Sequence, residues 1–168
     1  MSLTLYDACV PTLTRALENL ITVLNKGAAH AEARKLDGLV LTGARLFPDM
    51  FPLTRQVQIA TDMAKGAVAR LAGVEPERYE DTEQTFTELV ARVEKTIALI
   101  RGFEPARFEG AELRDIVLKS PRGDRHFKGQ AYLLDFVLPN VFFHCATAYD
   151  ILRHNGVELS KQDFLGSF

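Results

Sequence analysis

The sequence predicts an all-α protein, an antiparallel four-helix bundle with a small β-hairpin before the last helix. Three observations lead there. Four long stretches carry apolar residues at steps of three and four, the mark of amphipathic helices. Each is roughly twenty residues and so about 30 Å long, a length that suits a bundle. The segment that breaks the period, residues 103–128, is β-prone on both sides of a turn motif. A chain of 168 residues favours a single domain over 1–168 with one core.

The first helix is expected from about Leu5 to Lys26. Leu13, Leu17, Leu20 and Leu24 recur at helical spacing behind Tyr6, Cys9 and Val10. Pro11 falls near the first turns, where proline is best tolerated, and Gly27 reads as a stop. A short helix fits around Asp37–Gly43, ahead of the breakers Pro48 and Pro52. The second long helix begins at or just after Pro52 and ends before Gly73. Leu53, Val57, Ala60, Ala64, Val68 and Leu71 form its apolar stripe, and Arg55, Gln58, Asp62 and Lys65 a polar one. The third helix reads as capped by Asp81, with Gln84 in capping-box position. Phe86, Leu89, Val93, Ile97 and Ile100 then repeat until Gly102. Asp115–Lys119 and Arg125–Phe127 flank Ser120-Pro121-Arg122-Gly123-Asp124 as a hairpin. The fourth helix spans about Gly129–Asn155. Pro139 is expected to kink it, because proline lacks the donor and presses on the carbonyl of Asp135. The tail from Val157 is polar, with Phe164 and Leu165 available to pack back.

Composition excludes several classes. Hydrophobic residues make up 47% and charged residues 25% of the chain, and net charge is −2, ordinary for a globular domain. The scattered basic residues form no concentrated face for nucleic acid. No apolar run approaches bilayer-spanning length, and the N-terminus lacks the basic region of a signal peptide. Cys9 and Cys145 lie far apart inside apolar patterns and read as buried thiols of a cytoplasmic protein. There is no phosphate loop and no nucleophile elbow.

Polar chemistry concentrates in the fourth helix. Asn140, His144 and Thr147 share one stripe among Val141, Phe142, Phe143 and Ala148, and Tyr149 and Arg153 follow. A histidine placed there is expected to be buried and to need partners for its ring nitrogens. Gln58, Asp62 and Lys65 lie on a matching stripe of the second helix. If those faces meet, His144 acts as base or ligand and Asp62 orients it. Gln58, Lys65, Asn140, Tyr149 and Arg153 then position a small molecule. The same polar set also makes a closed hydrogen-bond network that fixes helix register. Cys145 beside His144 invites an activated thiol, but adjacent helical residues point about 100° apart. His30 and His126 read as surface residues, and His154, one turn from the helix end, as complementing the helix dipole.

The end of the chain, Phe143-His144 through Leu152-Arg153-His154-Asn155-Gly156-Val157 to Lys161-Gln162-Asp163-Phe164-Leu165-Gly166, resembles an uncharacterised bacterial domain-of-unknown-function family of the DinB/YfiT-like superfamily. Asp49-Met50-Phe51-Pro52-Leu53, Gln56-Val57-Gln58 and Asp62-Met63-Ala64-Lys65-Gly66-Ala67 resemble the same branch. The resemblance implies a four-helix bundle, usually a homodimer, in a superfamily with metal-dependent hydrolases and thiol-dependent transferases and isomerases. Its metal site uses three histidines, one on the second helix and two spaced four apart on the last. By that match His144 stands at the second of the pair and Asn140 at the first. The second helix offers Gln56 or Gln58 instead of a histidine. One imidazole and two amides make a poor zinc or nickel site, with Asp62 the residue that would complete a weak one beside His144.

No resident cofactor is therefore expected. Two readings stand: a small-molecule-binding bundle protein, catalytic or not, with a degenerate metal site, and a non-catalytic dimer whose polar centre is structural. Surplus apolar residues at Leu39, Val40, Leu41, Leu46, Phe47, Met50 and Phe51 point to a homodimer.

Overall fold

The structure, a computed structural model, describes residues 3–167. Met1, Ser2 and Phe168 at the ends of the N-terminal and tail segments lie outside the described residues.

Helix α1 runs Leu5–Ala33 and starts with a capping box between Thr4 and Asp7. It does not stop at Gly27. A Cβ at that position would sit 2.9 Å from the Phe86 ring and 3.0 Å from Leu152, so Gly27 lets two helices close in on α1. Helix α2 is the short Gly38–Thr42, capped by Asp37. Helix α3 spans Leu53–Leu71, as its apolar stripe requires.

Helix α4 covers Phe86–Arg101, and its N-cap differs from expectation. Thr85 and Glu88 form the capping box. Asp81 is four residues upstream and is engaged with Arg55 and Arg92 instead. Two 3₁₀ turns, Pro105–Phe108 and Ala111–Leu113, lead into the expected hairpin of β1, Asp115–Leu118, and β2, Arg125–Lys128. The strands pair antiparallel with Ile116 opposite Phe127.

Helix α5, Gly129–His154, begins directly after β2. Gly129 is packed so tightly that a Cβ would run into the Ala111 carbonyl oxygen. The disturbance expected at Pro139 takes the form of a π-helical stretch, Tyr132–Val137, immediately before it. The widened turns accommodate a residue with no N–H to give. By length and composition α5 is apolar enough to cross a membrane, contrary to the expectation that no run reaches that length. In this fold one face of it belongs to the core, with Leu133, Val137, Val141, Ala148, Ile151 and Leu152 buried against its neighbours, while Leu134, Phe142 and Phe143 stay exposed. Helix α6, Lys161–Leu165, folds the tail back. Phe164 meets Tyr149 edge-on, and Asn19 and Arg15 of α1 donate to the carbonyls of Phe164 and Leu165.

The four long helices form a ring in which α1 and α3 each touch both α4 and α5. Chain order therefore crosses the bundle diagonally from α1 to α3 and from α4 to α5. The two longest connections, 34–52 and 102–128, make those crossings, which explains their length. Leu13, Leu17, Leu24, Val57, Ala64, Leu89, Ile100 and Ile151 are sealed in the shared core.

Candidate functional site

His144 is buried on the face of α5 that meets α3. Its partner is Gln56. His144 Nδ1 lies 2.6 Å from Gln56 Oε1, and Gln56 Nε2 donates to the Phe51 carbonyl at 3.0 Å. The second bond fixes the amide orientation, since a carbonyl oxygen accepts only from the NH₂ end. Oε1 therefore faces the imidazole, and Nδ1 must carry the proton. In the neutral ring this leaves Nε2 as an acceptor. Burial, with a smaller contribution from the Arg55 charge, holds the imidazole below its ordinary pKa of 6.5, so the neutral form is favoured. Phe143 packs edge-on to the ring, 5.2 Å between centroids.

The second-helix stripe expected to face His144 faces elsewhere. Gln58 is two residues from Gln56, hence on nearly the opposite side of α3. Asp62 is six residues on, about 9 Å along the axis and about 120° round. Gln58 donates to Glu83 at 3.1 Å. Asp62 Oδ1 pairs with Lys65 at 2.7 Å and with Arg92 at 3.0 Å. The proposed pairing of His144 with Asp62, as catalytic or metal-binding partners, is thus corrected. Gln58 bonds Arg55 and Glu83, and Lys65 bonds Asp62, rather than the imidazole.

The remaining candidates also separate. Asn140 shares the His144 stripe, but its amide nitrogen bonds the Phe136 carbonyl at 2.6 Å, inside the π-helical stretch. Tyr149 packs on Phe164. Arg153 is exposed and lines a groove with Lys26, His30 and Asp163 near α6. Cys145 and Cys9 are buried free thiols that desolvation pushes up to about 12, the opposite of the lowered pKa an activated thiol needs.

Sequence reasoning missed the strongest polar centre. Arg92 of α4 is buried, yet each of its three nitrogens has an acceptor. Nε donates to Thr61 Oγ1 at 2.8 Å and Nη1 to the Glu80 carbonyl and the Glu83 carboxylate at 3.0 Å. Nη2 reaches Asp62 and Asp81, each at 3.0 Å. Tyr79 covers the cluster, its ring 5.3 Å from the guanidinium and 3.9 Å from Lys95 Nζ. The acidic run 80–83 ahead of α4 was the available signal. Its partner, a lone arginine beside Val93, carried none.

The residues present do not fit a transition metal. Among the described residues no group of three or more His, Cys, Asp and Glu could hold one. At the bundle centre Gln56 and Asn140 are neutral amides already engaged, and His144 is the one imidazole. Zinc and nickel draw their affinity from imidazole, thiolate and carboxylate donors.

The fold and this centre define a DinB-like four-helix bundle. Residues 5–165 match the model of a domain of unknown function, DUF1993. The chain belongs to that family. It is also similar to a DinB family member protein from Shewanella denitrificans whose crystal structure is known. The identity is 41% and the TM-score 0.90, over 98% of this chain and 93% of that one. No curated protein matches the chain.

Proposed function

We propose that this DinB-like protein binds a small polar molecule at the bundle centre without a transition metal, His144 acting as a neutral hydrogen-bond acceptor. The observation that supports this is the relay from the Phe51 carbonyl through the Gln56 amide to His144 Nδ1. It fixes one tautomer and leaves Nε2 free of any protein hydrogen bond among the described residues. A ligand offering an O–H or N–H complements that nitrogen. Proton abstraction by His144 would be a further step that the same geometry allows. The test is a screen of small alcohols, amides and acids by protein-observed NMR, with the His144 imidazole nitrogens as reporter, alongside a zinc titration. Hits that perturb Nε2 and vanish in His144→Ala support the reading. One-to-one zinc binding abolished by that substitution would overturn it.

A second reading, a non-catalytic dimer with a structural polar centre, is favoured by one observation. Phe47, Phe51 and Phe143 are 64%, 56% and 56% exposed, and Leu39 and Val40 are also open. Two of these flank the centre itself, since Phe51 holds Gln56 and Phe143 adjoins His144. Burying such side chains against a second copy is the commonest remedy. Sedimentation equilibrium at micromolar concentration decides it, and a strictly monomeric mass would refute it.

A further inference from the structure

A cleft of about 830 Å³ lies away from His144, between the C-terminal half of α3, the following loop, β1 and the start of α5. Its volume falls in the range of sites for small organic ligands. One wall is aromatic and apolar. Phe136 presents its ring there, backed by the buried Tyr132 with centroids 6.0 Å apart, and Met63 and Val74 continue the surface. The π-helical stretch brings the two rings to the same face, and such stretches recur at functional sites.

The other wall is cationic. Arg70, Arg78, Arg114 and Lys119 all line the cleft, and none pairs with a carboxylate among the described residues. Of the acids there, Asp62 is engaged by Lys65 and Arg92, and Asp115 by Lys128. Glu75 alone has no cationic partner. Four unmatched cations thus face one unmatched carboxylate. Two of the cations are held in place. The Arg70 guanidinium donates to Tyr132 Oη at 3.1 Å and lies over Gly66, where a Cβ would collide with it. Arg114 donates to the Leu71 carbonyl at the end of α3 and passes beside Gly73, whose φ of +74° suits glycine. Half-buried, positioned arginines with open N–H groups favour a planar anion.

The geometry points to a second binding site in this cleft, for an organic carboxylate with an aromatic or branched apolar body. The carboxylate meets Arg70 and Arg114, and the body lies on Phe136, with the buried Tyr132 ring behind it. It is independent of the bundle centre.

The test uses phenylacetate as probe and phenylacetamide as its neutral counterpart, followed by amide shifts in ¹⁵N-labelled full-length protein. Phenylacetate is expected to move resonances in 62–78, 114–119 and 132–136. The amide should bind at least about tenfold more weakly, as loss of a charge-assisted hydrogen bond implies. Arg70→Gln should weaken phenylacetate by a similar factor. If that variant misfolds for want of the Tyr132 contact, the doubly substituted Arg78→Gln, Lys119→Gln protein carries the test, because both side chains are exposed. Its affinity should fall by a few-fold and more so at low salt. Equal binding of acid and amide, no shift in these segments, or identical shifts from inorganic sulfate at equal concentration would each overturn the proposal.

Discussion

Replacing Arg92 by methionine keeps an unbranched, helix-compatible side chain and deletes the guanidinium. The Arg92 side chain is 2% exposed, whereas those of Asp62, Asp81 and Glu83 are 37%, 36% and 14% exposed. The two outer carboxylates can return to water, so their pairs with Arg92 are worth little, of order 0–1 kcal/mol each. Glu83 is the partner that stays enclosed. Its charge-assisted bond is worth about 2 kcal/mol, and the bonds to Thr61 and the Glu80 carbonyl about 1 kcal/mol each. The expected loss is therefore about 4 kcal/mol, within the range for breaking a buried pair. For a domain of this size that lowers Tm by about 8–16 °C. Arg92→Lys retains charge but cannot fan out to Thr61, Glu80 and three carboxylates at once, so it should lie about midway. Urea unfolding followed by circular dichroism measures both. A loss below about 1 kcal/mol for methionine would refute the view that Arg92 ties α4 to α3 and the intervening loop. Asp62→Asn should cost less than about 1 kcal/mol, as its exposure implies.

Three further outcomes are expected. The folded-state pKa of His144 lies below its unfolded value of 6.5. Between the two values the unfolded chain binds more protons, so stability rises with pH through that window and is lost as pH falls below 6.5. His144→Gln should flatten this slope, and an NMR titration placing the His144 pKa at or above 6.5 would contradict the burial argument. Gly129→Ala should destabilise by about 1–3 kcal/mol, because the obstruction is the Ala111 backbone and not a flexible side chain. An unchanged urea midpoint would show that the 3₁₀ turn gives way freely. Replacing Phe47 and Phe51 by serine should shift a dimer toward monomer in sedimentation equilibrium with little change in helix content. An undisturbed dimer would place the interface elsewhere.

Much of the architecture was legible because it rests on local periodicity. The α3 stripe, the hairpin around residues 120–124 and the stop at Gly102 need no partner to be read. What failed required knowledge of neighbours. Gly27 has the composition of a helix end, and only Phe86 and Leu152 passing beside it show why α1 continues. Asp81 satisfied every local rule for an N-cap, yet two arginines claim its carboxylate and leave capping to Thr85. The site suffered similarly. His144 was found, since a lone imidazole in an apolar stripe is conspicuous. The stripe through Gln58, Asp62 and Lys65 pointed to Gln58 as the partner of His144, yet Gln56, on the opposite face of α3, holds the imidazole. Choosing between them needs the ring order of the bundle, which places α5 on one side of α3 and α4 on the other.

That ring order also explains why the two polar centres do different things. The α3–α4 side collects formal charge, because the acidic loop 80–83 passes over it and Arg92 sits beneath. Each nitrogen of Arg92 is engaged from within, which leaves it little to offer a ligand, and the buried hydroxyl of Tyr79 above it has no partner among the described residues. The α3–α5 side bonds through neutral groups, with the Arg55 charge near enough to act on His144. Each amide there bonds a backbone carbonyl at its NH₂ end, Gln56 to Phe51 and Asn140 to Phe136. Both amide oxygens therefore remain as acceptors, but Gln56 spends its own on His144 Nδ1. Asn140 Oδ1 and His144 Nε2 are left, one turn apart on the same stripe. Two acceptors one turn apart, one of them an imidazole kept neutral by burial, complement the hydrogen-bond donor proposed for this centre. The anion proposed for the second cleft would instead meet unmatched arginines.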